Sequence, residues 1–100
     1  MKISQSSLQK VKTYVGFTFK AGKAVLGVDN IAKITKPILV VYSSELAQNS
    51  VKKLNEYAQK FGHQLYEVED FIEISPREGC KAIGIKDQSL ADVIIKQLNI

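Results

Sequence analysis

The sequence predicts a three-layer α/β/α sandwich on a small mixed sheet, and three observations carry that expectation. Strand-like runs alternate with helix-like ones across short connections, the order that gives crossovers and a sheet with helices on both faces. Ile38-Leu39-Val40-Val41-Tyr42 is a continuous apolar run rich in β-branched residues, as in a central strand covered on both sides. Ala47, Val51, Leu54, Ala58 and Phe61 recur at intervals of three and four, the stripe of a helix laid against such a sheet. With 100 residues, 45% hydrophobic and 24% charged, the chain has the size and balance of one ordered domain.

The remaining elements follow from the same patterns. Leu8, Val11, Val15 and Phe19 at helical spacing predict a first helix over about 6–21, ending at Gly22. Residues 24–27 read as a brief extended piece. A short second helix follows over 28–34, its start marked by Gly27 and Asp29 and its end by Pro37. Ser43 and Ser44 supply a turn and a cap for the helix that closes at Gly62. Residues 64–69 read as a strand with Leu65 and Val68 inward, Tyr66 outward or half-buried, and Glu67 and Glu69 on a wet face. Residues 70–75 allow only a helical turn, and Ser75-Pro76-Arg77-Glu78-Gly79 is loop chemistry. Ala82, Ile83 and Ile85 mark a strand over 81–86. Leu90, Val93, Ile94 and Leu98 mark a last helix from about 88 to 98, capped by Asp87 or Ser89.

Catalytic and nucleotide-binding patterns are missing. Five residues separate Gly16 from Gly22, and Ala24 follows Lys23, where a phosphate-binding loop needs four and then a hydroxyl residue. His63 has neither a cysteine nor a second histidine near it in sequence and reads as an exposed loop residue. Cys80 reads as a small buried side chain before an apolar strand. Glu67, Glu69, Asp70 and Glu73 read as a solvated rim. No nucleophile, base and orienting group come together, so a non-enzymatic protein without cofactor or metal is expected. The single cysteine needs no oxidising compartment, and neither a signal peptide nor a membrane span is discernible. A cytoplasmic monomer is the expectation.

Charge is uneven. Residues 1–36 hold seven lysines against Asp29, a net +6, whereas the rest carry seven basic and nine acidic groups, a net −2. Such asymmetry points the first third of the chain at a polyanion.

The stretch Lys20-Ala21-Gly22-Lys23-Ala24-Val25-Leu26-Gly27-Val28-Asp29-Asn30-Ile31-Ala32-Lys33 resembles the opening of the kink-turn-binding ribosomal proteins of the L-seven-Ae and L-thirty-e type. In that family a first helix ends in a similar turn, a short strand leads to a glycine, and a short helix carries two polar residues and then a lysine. Residues 38–54 and 81–91 are similar to later parts of the same family, and the nearer relatives would be its small bacterial members. The resemblance implies binding of structured RNA, a kink turn or related bent internal loop in ribosomal or regulatory RNA, with the ribosome as a possible setting. Lys20, Lys23, Lys33 and Lys36 would meet phosphates, and Gly27 and Val28 would offer backbone amides at a helix start. Asp29 and Asn30, where the family usually has Asn and Glu, would reach base edges. In the loop before the last strand, Ile74 would pack on a splayed nucleotide and Arg77 would stack or pair with phosphate. Asp29 also reads as an ordinary helix cap. The rival reading is a protein-interaction adaptor on the same fold that binds no RNA.

Overall fold

An apolar strand at residues 38–42 has to be covered on both sides, and the strand order shows how that is done. The computed structural model describes residues 5–98; Lys2, one of the seven lysines of the basic first third, lies outside them with the rest of residues 1–4. Along the described chain run α1 (Gln5–Lys20), β1 (Ala24–Leu26), α2 (Val28–Ile31), β2 (Leu39–Ser43), α3 (Gln48–Phe61), β3 (Gln64–Val68), α4 (Phe71–Ile74), β4 (Ala82–Ile85) and α5 (Gln88–Leu98). The strands lie in the order β1-β4-β2-β3, with β2 parallel to β3 and antiparallel to β4, and β4 antiparallel to β1. β2 is therefore interior, and all five of its residues are buried.

Alternation along β2 divides the core in two. Leu39 and Val41 join Val11, Val15, Phe71, Ile83 and Ile94 under α1, α4 and α5. Val40 and Tyr42 join Ile31, Leu54 and Ala82 under α2 and α3. The result is the three-layer sandwich on a mixed sheet that the sequence predicts. Asp87 caps α5 as read, its Oδ1 accepting from the Leu90 N–H at 3.0 Å.

Several local expectations are corrected. α2 stops at Ile31, short of residue 34, because the Lys33 and Ile34 N–H groups bond to the carbonyls of Asn30 and Ile31, three residues back, and tighten the chain into a turn. Ser43 and Ser44 do not cap α3. Ser43 ends β2 and its Oγ accepts from the Glu45 N–H at 3.0 Å, while the helix begins at Gln48 after an Ala47 that makes no side-chain cap. In β3 the period of two places Leu65 on the α3 face with Glu67, and Tyr66 with Val68 on the other, so Leu65 and Val68 point inward on opposite faces.

His63 is likewise not an exposed loop residue. It is only 7% exposed, and its Nδ1 accepts from the Ile38 N–H at 3.1 Å while the Gln64 N–H donates to the Ile38 carbonyl. The imidazole thus continues the β2–β3 pairing one step past the end of the strands. Its Nε2 is buried. Burial holds its pKa below the ordinary 6.5, an effect only partly offset by the Ile34 carbonyl.

Gly84, in the middle of β4, leaves room for two isoleucine side chains. A Cβ there would lie 2.8 Å from Ile38 Cδ1 and 3.4 Å from Ile31 Cγ1. The bare backbone lets Ile31 of α2 settle onto the strand, and α2 carries the residues of the candidate site.

Two outcomes follow for stability. Gly84→Val is expected to cost about 1–3 kcal/mol through overpacking, measured by denaturant unfolding. His63 is held neutral in the fold and titrates near 6.5 when unfolded, so its contribution is fully present above that value and is lost as pH falls below it. Stability should therefore fall as pH drops below about 6.5, and His63→Asn should flatten that fall while lowering stability at neutral pH by about 1–3 kcal/mol.

Candidate functional site

The chain leaves β1 through Gly27, whose φ of 88° and ψ of 151° lie in a region open essentially to glycine alone. The Gly27 N–H donates to the Ala82 carbonyl at 2.9 Å, pinning the turn to the first residue of β4. Asn30 reaches back from α2, and its Nδ2 donates to the Leu26 carbonyl at 2.8 Å. The side-chain amide thereby closes the turn and keeps its own carbonyl oxygen as an acceptor. Asp29 is exposed in the first turn of α2 and does not cap it, since the N-cap position belongs to Gly27 and no side chain bonds there. Val28 is half-buried and packs toward α3, which leaves only its backbone for a ligand.

The loop before β4 rises beside this turn. Ser75 Oγ donates to the Arg77 carbonyl at 2.7 Å and sets the loop's course after α4. Leu26 and Gly27 on one wall and residues 77–81 on the other enclose a shallow groove of about 320 Å³. Arg77 also lies over the Phe19 ring at 5.7 Å from its centroid, which ties the loop to the last turn of α1. Phe19, read as part of the helix core stripe, is consequently 37% exposed with one face against the guanidinium.

Ile74 is corrected outright. It is 1% exposed and belongs to the core with Phe71, so it cannot pack on a nucleotide. The exposed aliphatic side chain of α4 is Ile72, at 84%. Ile72 lines a second hollow with Glu45 and Phe71, contiguous with the first through Gly79, Cys80 and Lys81. Cys80 is half-buried between the two hollows, not enclosed, and its Sγ is 3.1 Å from the Ala82 carbonyl. Helical period alone would have separated Phe71 and Ile74 from Ile72. Lys81 and Cys80 carried no sequence signal, because only the β4 register brings them to the groove.

Lys23 and Lys36 lie at the end of the sheet away from the Gly27 turn. At the start of β1 the Lys23 carbonyl accepts from the Lys86 N–H at 2.8 Å, and Lys36 stands just before the β2 end of the same side of the sheet. Gly27 lies past the far end of the three-residue strand, about 13 Å away. Lys20, Lys23, Lys33 and Lys36 are all exposed. The structure thus brings Gly27, Asn30 and Arg77 together and sets Lys23 and Lys36 toward the other end of the sheet. Among the described residues no three His, Cys, Asp or Glu side chains converge as a metal site, and no helix is long and apolar enough to cross a membrane.

These features define a three-layer α/β/α sandwich with a groove at one end of its mixed sheet. A solved structure of the same fold, of a protein with unknown function from Bacillus halodurans C, matches 91% of this chain and 98% of that one with a TM-score of 0.78. Identity between the two is 18%, so the likeness shows the fold alone. No protein-family profile and no curated protein matches the sequence.

Because Gly27 needs its unusual backbone, Gly27→Ala is expected to cost about 1–3 kcal/mol even though a Cβ there would meet nothing within 4 Å. Thermal unfolding of this variant separates backbone strain from steric clash, since only strain is present.

Proposed function

We propose that this chain binds structured RNA of the kink-turn type, in ribosomal or regulatory RNA, as a non-catalytic factor similar to the L-seven-Ae and L-thirty-e ribosomal proteins. One observation carries the reading. Two segments distant in sequence, the Gly27 turn and the Arg77 loop, are those the family resemblance assigns to RNA, and they face each other across one groove. A pinned glycine turn without a side chain allows an RNA backbone to come close. Asp29 and the Asn30 carbonyl oxygen offer acceptors to base amino groups opened by a bent internal loop, which a regular A-form duplex hides. The exposed Lys20, Lys23, Lys33 and Lys36 supply phosphate neutralisation, and Arg77 adds a planar guanidinium at the groove.

The adaptor reading has one observation in its favour, the exposed Ile72 beside Glu45 and Phe71 in the second hollow. An exposed aliphatic side chain beside a hollow lined by both Glu45 and Lys81 suits a protein segment better than a nucleic acid.

Affinity for a kink-turn RNA and for a straight duplex of equal length, measured across a salt titration, separates the two. A preference for the kinked RNA that survives raised salt is expected. Lys33→Ala should weaken binding to every RNA and shallow the salt slope by about 0.7–0.9. Asp29→Asn should tighten binding by removing a negative charge from the approach. Equal, weak binding to both RNAs that fades with salt would leave the adaptor reading in the lead.

A further inference from the structure

The outer face of α1 is not used by the groove, and its composition is unusual. The sixteen residues of α1 contain no acid and carry Lys10, Lys12 and Lys20. Its inner side packs through Leu8, Val11 and Val15, while Ser6, Lys10, Thr13, Phe17 and Lys20 fall on one exposed line at intervals of three and four. Phe17 is 55% exposed. Its neighbour Tyr14 is half-buried against the core, and the two rings, with Gln9, Lys10 and Thr13, border a shallow hollow of about 430 Å³.

We propose that this face of α1 is a second RNA contact, a stacking track for a single strand that runs on from the structured element in the groove. The inference rests on the RNA reading and extends it to a different surface and a different RNA conformation. The line Lys10, Thr13, Phe17, Lys20 places a ring between two cations, roughly two helical turns before it and one after. A nucleotide has the complementary arrangement, a flat base with phosphates on either side. Stacking on an exposed ring while lysines follow the backbone is the general mode by which single strands are held without sequence preference. A protein partner fits less well. The exposed apolar side chains of α1 are the two rings of Phe17 and Phe19, set in polar and cationic surroundings and not in a contiguous aliphatic patch. Continuity with the groove comes from the last turn of α1, where Phe19 lies against Arg77 of the groove wall.

The test compares four RNAs, the kinked RNA and a straight duplex, each with and without a single-stranded uridine tail, against wild type, Phe17→Ala and Phe17→Trp. A tail is expected to tighten wild-type binding by about fivefold or more, by the strength of one base–aromatic stack. Phe17→Ala should abolish that gain and Phe17→Trp should keep it, with equal thermal stability in all three and unchanged affinity for the tail-less kinked RNA. A tail that gives no gain, or a gain that Phe17→Ala leaves intact, overturns the proposal. The two readings fail separately. Loss of preference for kinked over straight RNA with a Phe17-dependent tail effect removes the groove reading and sustains the α1 track. Kink preference with a tail effect indifferent to Phe17 removes the track alone.

Discussion

The arrangement of this molecule depends on the room that Gly84 leaves over β4, filled by Ile38 and by Ile31 of α2. A four-residue helix has too few internal hydrogen bonds to hold itself, so its position comes from packing. Ile31 is that packing, fully buried against a strand that offers backbone where a side chain would stand. Once Ile31 is seated, Gly27 falls within reach of the Ala82 carbonyl and Asn30 within reach of Leu26. The same strand delivers the Arg77 loop to the other wall of the groove, since that loop leads directly into β4. The groove is therefore a consequence of β4 lying between β1 and β2, and neither wall is positioned by its own local structure.

That dependence explains what could be read from the sequence and what could not. The layers were legible because burial on two faces forces an apolar run at residues 38–42 and burial on one forces a stripe at 47–61. Short elements were less so. In α2 the apolar residues extend to Ile34, but periodicity cannot register the three-residue hydrogen bonds that end the helix at Ile31. His63 looked exposed because a lone polar residue after a helix-ending glycine usually is; its burial comes from a partner, the Ile38 amide, twenty-five positions away. Of the candidate site, the lysines stood out as a charge excess, while Gly27, Asp29 and Asn30 were named as site residues only through the family resemblance. Ile74 was misplaced because a loop assignment ignored its helical spacing from Phe71. Cys80 and Lys81 became visible as groove residues only through strand register.

Charge differs from element to element. The strand order puts β1 and β3 at opposite edges. Residues 64–75, forming β3 and α4, hold Glu67, Glu69, Asp70 and Glu73 without a base, whereas α1, β1 and α2 carry the basic excess. Glu67 of β3 adds to the effect of burial in raising the Tyr42 phenol pKa. The groove sits at the far end of β1, with Arg77, Glu78 and Lys81 on one wall and Asp29 just past the other. On the proposed RNA reading, the exposed lysines would supply general attraction, while the glycine turn and the acceptors of Asp29 and Asn30 would favour bases bent out of a regular duplex. That reading gives affinity and selectivity to different residues, the first to the lysines and the second to a turn held in place from beneath by Gly84.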